Sequence, residues 1–305
     1  MGKTVFLFSG QGSQKPGMGI EFAASSAGAA AVFECAGDIL GFDLRAICEN
    51  GTPEELAVTT VAQPAIMATS LAALACLRER GVEAEAVAGH SLGEYAAMVA
   101  AGMLSLEDGF RLIAHRAAAM GRCAAAQDGA MAAVMGLDAA EIERVCGETD
   151  GYVVPVNYNS AAQSVIAGER AAVTAACEAF AAMGKKTIPL AVPAAFHSKL
   201  MQPAADEFLE AAKGFTFAAP RLDFYANLTG EKLTDFSDMP GYLARHIVSP
   251  VRFTSELAAL EQAGYDRYLE LGPGKVLTGL VKKTLKGVTA ANIENLATLD
   301  KALAD

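Results

Sequence analysis

The stretch Val87-Ala-Gly-His-Ser-Leu-Gly-Glu-Tyr95 constrains the fold of this chain more than any other. Within it, Gly89-His-Ser-Leu-Gly93 matches G-x-S-x-G, the pattern of a serine raised on a sharp strand-to-helix turn. The flanks suit that geometry. Glu85-Ala-Val-Ala88 can form a short buried strand, and Leu92 to Ala101 is expected to be a helix that stops at Gly102. Small residues at 89 and 93 permit the turn and leave amides at the helix start open to an oxyanion. The pattern alone is weak, because it recurs by chance in a chain with 29 glycines. The strand and helix around it make a catalytic serine the better reading.

The chain has 305 residues, enough for one large domain or a large one with a small companion. Hydrophobic residues make up 52% and charged residues 19%, a globular balance. No apolar run is read as approaching the ~20 residues of a membrane span. Thr4 to Phe8 reads as a first buried strand rather than part of a signal peptide, so the expected location is cytoplasmic, away from any membrane. Cys35, Cys48, Cys76, Cys123, Cys146 and Cys177 are widely spaced with no C-x-x-C, the usage of reduced core cysteines. His90, His115, His197 and His246 show no H-x-x-x-H spacing, so no metal is expected. A net charge of −11 argues against nucleic acid as partner.

Gly10-Gln-Gly12 follows the first strand, but Lys15 stands where the third glycine of G-x-G-x-x-G belongs, which sets a dinucleotide site aside. A tight turn and a loop whose amides face a bound group both remain open. Glu21 to Ala75 is helical in pattern with breaks at Gly41 and Gly51-Thr-Pro53, and Thr52-Pro-Glu-Glu55 carries strong helix-start chemistry. A long buried helix from Thr59 to Leu77 is expected behind the serine turn; Gln63 near its start reads as a cap-region group in preference to a pocket-facing one. Residues 124–194 run β-α-β-β-α-β with their own turns, which predicts a small inserted ferredoxin-like domain. The flanking parts, 1–123 and 195–305, together predict a large α/β domain with a central, mostly parallel sheet of the α/β-hydrolase-like kind that the serine turn suggests.

Ser105-Leu-Glu-Asp108 opens a helix with an apolar stripe through Leu106, Phe110, Ile113, Ala117 and Met120. At ~100° per residue Arg111 and Arg122 fall opposite the stripe, whereas Arg116 lies only about 80° from its centre and is expected to be partly buried. A buried guanidinium needs a carboxylate or several carbonyls around it. From position alone a structural ion pair is slightly preferred to a clamp for a substrate carboxylate. A serine also needs a base within hydrogen-bond reach. His90 adjoins Ser91 but points elsewhere, and His115 lies away from the stripe of its helix. His197, at the junction after the inserted unit, is the expected base, with His246 second. No acid between 91 and 197 stands at a strand end, so a backbone or amide carbonyl is a candidate to orient His197 in place of a triad acid.

Gly10-Gln-Gly-Ser-Gln14, Gly89-His-Ser-Leu-Gly-Glu94, Arg116, Asn157-Tyr-Asn-Ser160 with Gln163-Ser-Val-Ile-Ala-Gly168, Phe196-His-Ser198, Ser249-Pro-Val251 and Glu270-Leu-Gly-Pro-Gly274 together resemble the malonyl-CoA:acyl-carrier-protein transacylase family. They occur in family order over nearly the whole chain. The resemblance implies that Ser91 attacks a malonyl thioester while His197 takes its proton, and that backbone amides of Gln11 and Leu92 hold the oxyanion. It implies that Arg116 grips the free carboxylate of malonate, and that His90, Gln63, Asn159 and Phe196 also bind substrate. Malonyl would pass from malonyl-CoA to the phosphopantetheine thiol of acyl carrier protein by a ping-pong route, in fatty acid or polyketide synthesis, with no metal or redox cofactor.

Phe196 resembles the residue of relatives that accept unbranched malonate. Position 246 departs from the pattern: many relatives have glutamine there, thought to orient the histidine through its main-chain carbonyl, and His246 leaves that carbonyl in place. Lys185, Lys186, Lys282, Lys283 and Lys286 are candidates for docking an acidic carrier protein, although such lysines are more often merely solvated. A monomer is the simplest expectation. Two rivals stand beside this reading. Arg116 and the missing triad acid count against a serine hydrolase such as a thioesterase, and intact Ser91 and His197 count against a silent carrier-binding module.

Overall fold

The computed structural model describes residues 2–192 and 194–304. Met1 and Asp305 lie outside the described residues, as does Pro193, where the sequence reading has the chain leave its inserted unit.

The chain opens with β1 (Lys3–Phe8), then α1 (Ile20–Ser25), α2 (Ala27–Leu40), α3 (Leu44–Asn50), α4 (Pro53–Ala57) and α5 (Thr59–Glu79). β2 (Ala86–Gly89), α6 (Gly93–Ala100) and α7 (Leu106–Ala125) follow. Next come β3 (Gly129–Met135), α8 (Ala139–Glu148), β4 (Val153–Ser160), β5 (Gln163–Glu169), α9 (Arg170–Ala182) and β6 (Lys186–Pro189). The remainder holds α10 (Gln202–Ala212), β7 (Asp223–Ala226), β8 (Glu231–Lys232), α11 (Met239–Val248), α12 (Phe253–Gln262), β9 (Tyr265–Leu271), α13 (Val276–Thr284), β10 (Thr289–Ile293) and α14 (Leu296–Ala304).

Two sheets result. The larger has the order β10-β9-β1-β2-β7-β8, parallel from β10 to β7, with β8 turning back antiparallel at the edge. The smaller, drawn from residues 129–189, has the order β4-β5-β3-β6 and is antiparallel throughout. The centre of the large sheet is apolar on both faces because alternate residues of one strand feed different cores. Phe6, Phe8 and Val87 pack into the core that holds α5, α6 and α7. Val5, Leu7, Ala86 and Ala88 face the other core, with Leu257 and Leu260 of α12 and Leu277, Leu280 and Val281 of α13.

Local chemistry explains several helix starts. Thr52 and Glu55 form a reciprocal capping box with Pro53 at the first helical position. Ser105 and Asp138 cap α7 and α8 through their side chains. Three features differ from the sequence reading. Ser26 caps α2 by accepting from the amide of Ala29, splitting a run that alanine content makes look continuous. The last strand of the small sheet stops at Pro189, short of the expected boundary at residue 194. The tail adds β10 and α14, which the apolar pattern did not reveal. The reading of apolar runs also needs correction: α5 has 21 residues and is long and apolar enough to cross a membrane, but 83% of its apolar window is buried inside the protein.

Two glycines fix how β2 turns into α6. A Cβ on Gly89 would lie 2.1 Å from the carbonyl carbon of Gly93, and a Cβ on Gly93 would lie 2.2 Å from the carbonyl oxygen of Phe8 at the end of β1. Both obstacles are backbone, so no side chain can swing aside. We expect Gly93→Ala to lower the free energy of unfolding in a urea titration by roughly 3 kcal/mol, the upper end of the usual cost of overpacking. A change below about 1 kcal/mol would show that the strand end can move away.

Candidate active site

The carboxyl ends of β1, β2, β7 and β9 lie at one edge of the large sheet and lead into Ser9-Gly-Gln11, His90-Ser91, Asn227 and Gly272. Parallel strands of an open α/β sheet bring chemistry to this edge, because every strand delivers its following loop to the same side. Gly10 lies so near the turn after β2 that a Cβ there would sit 2.7 Å from the carbonyl oxygen of His90. The Gln11 loop therefore rests directly on the serine turn.

Ser91 has a φ of 55° and His197 a φ of 63°, and among the described residues these are the only non-glycine positions with positive φ. Such conformations cost of order 1–3 kcal/mol each and persist only where the surroundings over-determine them. Here they aim two side chains at one another: Ser91 Oγ lies 2.7 Å from His197 Nε2. On the far side of the ring, His197 Nδ1 lies 3.0 Å from the carbonyl oxygen of His246 and 3.1 Å from that of Ser249. Carbonyls only accept, so Nδ1 carries the hydrogen and Nε2 presents its lone pair to the serine hydroxyl. Burial, reinforced by the positive charge of Arg116, pushes the His197 pKa down to about 3, so the imidazole is neutral around pH 7. A neutral ring in this tautomer can take the proton of Ser91.

Arg116 is 1% exposed, more deeply buried than its place on the helix predicts. Its Nη1 donates to Gln63 Oε1 at 2.8 Å and its Nη2 to Ser91 Oγ at 3.1 Å, while Nε is buried without a hydrogen-bond partner among the described residues. The guanidinium also lies over the Tyr95 ring, 5.3 Å from its centroid. Among the described residues no carboxylate forms an ion pair with it, so the expectation of a structural ion pair is not met. Gln63 requires a second correction. It is fully buried in the body of α5 and accepts from Arg116, so it is not a cap-region group, and its side chain lies on the side of the site, as the pocket-facing alternative has it.

The remaining sequence-derived residues fall in two places. His90 Nε2 is 2.9 Å from Asn159 Oδ1, and both residues line a cleft of about 200 Å³ together with Gln11, Asn157 and Gln163. Because Asn157, Asn159 and Gln163 come from the small sheet and Gln11 and His90 from the large one, the cleft lies between the two sheets. Burial pushes the His90 pKa down, which keeps that imidazole neutral too. Phe196 is 7% exposed and borders a separate, largely apolar groove with Val58, Thr60 and Val192. The backbone N–H groups of Gln11 and Leu92 have no protein acceptor among the described residues. His115 is exposed and lies beside Phe215, away from the site.

Sequence reasoning missed the layer beneath the serine. Asn227, fully buried, accepts from the Ser91 amide at 2.7 Å and donates to the carbonyl of Gly89, so one side chain holds both ends of the turn. Glu94, Glu256 and His246 are fully buried around it. The available signal was positional: Asn227 follows directly on a parallel strand, and Glu94 is an acid on an otherwise apolar helix.

Comparison with known proteins agrees with this geometry. Residues 5–303 match the family model described as acyl transferase domain. The chain is 39% identical to the malonyl CoA-acyl carrier protein transacylase of Salmonella typhimurium, over 99% of each chain. It is 37% identical to the protein of the same name from Bacillus subtilis, over 99% of this chain and 97% of the relative. The crystal structure of the Clostridium perfringens malonyl CoA-acyl carrier protein transacylase superposes with a TM-score of 0.95 at 34% identity, covering 99% of this chain and 96% of that one. A malonyl-transacylase solved in complex with a type II polyketide synthase acyl-carrier protein superposes with a TM-score of 0.94 at 37% identity over 99% of each chain. A serine and a histidine aimed at one another from a strand-to-helix turn thus sit in a chain that matches its relatives from end to end, and the protein belongs to the acyl transferase family.

Proposed function

We propose that this protein is a malonyl-CoA:acyl-carrier-protein S-malonyltransferase. The observation that carries the reading is a buried guanidinium with no anionic partner among the described residues, hydrogen-bonded to the same oxygen that faces the base. An unpaired buried cation is costly, and a substrate carboxylate would neutralise it. Malonyl thioester has a carboxylate one methylene from its reacting carbonyl, so docking the anion on Arg116 brings that carbonyl to Ser91 Oγ. The names of the relatives from Salmonella typhimurium and Bacillus subtilis support the same substrate and acceptor, as does the carrier-protein complex of a structural neighbour.

In the first half-reaction Ser91 Oγ attacks the thioester carbon and its proton passes to His197 Nε2. The oxyanion is held by the free amides of Gln11 and Leu92, a type of site where one lost donor costs about 10²- to 10³-fold in rate. The intermediate collapses by breaking the carbon–sulfur bond, and the imidazolium returns its proton to the departing CoA thiolate. Malonyl-serine remains. In the second half-reaction the phosphopantetheine thiol of acyl carrier protein gives its proton to His197 and attacks the ester carbon, and the proton goes back to Ser91. One thioester is exchanged for another, and neither step needs a metal or redox cofactor. His90 and Asn159 border the path of the substrate along the cleft. Gln63 acts on the anion through Arg116, and Phe196, next to the base in the chain but bordering its own apolar groove, is our proposed acyl-specificity residue.

We assign residues 1–123 and 195–305 to one α/β-hydrolase-like domain and 124–194 to an inserted ferredoxin-like unit. The antiparallel order of the small sheet supports the second name. Lys186, Lys282, Lys283 and Lys286 are exposed, and with Lys185 they form our proposed contacts for the carrier protein. A cytoplasmic monomer fits this reading, as do the six free cysteines.

Three outcomes test the mechanism. Ser91→Ala should abolish the malonyl adduct that mass spectrometry detects after exposure to malonyl-CoA, and an adduct that survives would assign the nucleophile elsewhere. Arg116→Ala should lose roughly 3 to 5 kcal/mol of malonyl transfer, the range for removing one partner of a buried ion pair, with acetyl transfer hurt far less; equal losses would make Arg116 structural. With its pKa held near 3, His197 is already the free base at pH 5 to 6, so the acid limb of kcat/KM should lie well below an ordinary histidine value near 6.5. Arg116→Ala should move that limb upward, because a cation that disfavours the imidazolium is gone; a wild-type limb at or above about 6.5 would contradict this account.

A further inference from the structure

The buried polar layer under the serine contains a proton that the transfer reaction does not use. Its position follows from hydrogen-bond accounting around Asn227. The Ser91 amide can only donate and the Gly89 carbonyl can only accept, so Asn227 Oδ1 faces the first and Nδ2 the second. Asn227 Nδ2 also donates to Glu256 Oε1 at 2.8 Å. With Oδ1 fixed as an acceptor, His246 Nε2, 3.2 Å away, must carry a hydrogen. The other nitrogen, His246 Nδ1, has no hydrogen-bond partner among the described residues and lies 3.4 Å from Glu94 Oε2, and both residues are fully buried. With no hydrogen between them, a carboxylate would face an imidazole lone pair where water cannot intervene, an arrangement costly in a low-dielectric interior.

We propose that Glu94 and His246 share one buried proton, and that this proton makes the His246 side chain a positioning group for the base. His246 lies in the last turn of α11, where main-chain carbonyls have no helical partner. Its carbonyl is one of the two that accept from His197 Nδ1. Anchored at Nε2 by Asn227 and at Nδ1 by the shared proton, the His246 ring holds that last turn against the base. The same Asn227 holds the backbone of Ser91, so nucleophile and base are referred to one buried node.

The pair is neutral overall, whichever atom bears the proton, which suits its complete burial. Ionisable groups reach it from several elements: Tyr242 of α11 donates to Glu94, Glu256 of α12 adjoins Asn227, Arg116 of α7 contributes positive charge, and His197 and His90 face it from the site loops. Burial raises the Glu94 pKa to about 8 and pushes that of His246 well down, so the proton resides on the glutamic acid and is donated to Nδ1.

The inference rests on the transferase reading only for its kinetic consequences, and the test separates the two. In protein labelled with 15N-histidine, NMR at neutral pH should show His246 protonated at Nε2 and hydrogen-bonded at Nδ1. A bare Nε2, or an Nδ1 free of any hydrogen bond, would overturn the proposal. His246→Leu keeps the main-chain carbonyl but loses both anchors, and should lower kcat for malonyl transfer about tenfold with KM for malonyl-CoA unchanged, the effect of a hydrogen bond or two. His246→Gln can still donate to Asn227 and accept from Glu94, and should restore kcat to within about threefold of wild type. Glu94→Gln puts an N–H where the shared proton lies and should likewise stay within about threefold. Equal losses in His246→Leu and His246→Gln, or a collapse of kcat in Glu94→Gln, would reject the positioning role. Should His246→Leu not fold, the NMR spectrum and the Glu94→Gln kinetics decide. Wild-type enzyme that fails to transfer malonyl would overturn the transferase reading and leave the NMR result standing.

Discussion

A strand ends and a helix begins around Ser91, and everything else at the site is arranged against that turn. Gly89 and Gly93 leave no room for a Cβ because β2, α6 and the end of β1 are in backbone contact. Ser91 pays for its exposure with a left-handed φ, and the Asn227 side chain holds the peptide groups on both sides of it. His197 shows the same compromise in a loop, strained in φ and pinned by two carbonyls. Strain of this size persists because the sheet behind it is apolar on both faces and cannot relax toward the cleft.

Charge is distributed with equal economy. Besides His197 itself, the ionisable side chains of Arg116, Glu94, His246 and Glu256 near the serine are fully buried or nearly so. Burial pushes both acids toward their protonated forms and the histidine toward its neutral one. That leaves Arg116 as the charge that cannot be removed, because a guanidinium keeps its proton at any working pH. An anion brought by the substrate is the remaining way to compensate it. Burial holds His197 unprotonated and the same cation reinforces it, so in the proposed mechanism one residue would serve both acyl recognition and the readiness of the base. A hydrolase acting on neutral acyl groups has no use for such a charge beside its nucleophile.

Some of this was legible in the residues and some was not. The strand, serine and helix at 86–100 follow from local rules, as do the Thr52–Glu55 box and the order of elements between 129 and 189. Arg116 could be singled out by helical angle, but its burial was underestimated and its partner misjudged, because angle says nothing about what stands opposite. Gln63 follows the same rule: α5 is covered from Ala62 onward by neighbours far away in sequence, and Met120 and Arg116 of α7 meet the Gln63 side chain. The break at Ser26 and the tail elements β10 and α14 were lost in alanine-rich or short, half-buried segments whose pattern is faint.

By itself the sequence determined the parts that depend on neighbours in the chain: the nucleophile turn, the helix starts, and the motif order that resembles a malonyl transacylase family. Only the tertiary structure decided which side chains meet. Ser91 and His197 are separated by 106 residues and Ser91 and Asn227 by 136, yet each pair is within 2.7 Å: Asn227 arrives because β2 and β7 are parallel and end at one edge of the sheet, and His197 is held there by the carbonyls of His246 and Ser249. That Arg116 has no acid paired with it among the described residues, and that Glu94 faces a histidine across a buried gap, are facts of packing between distant segments. No periodicity along the chain encodes them.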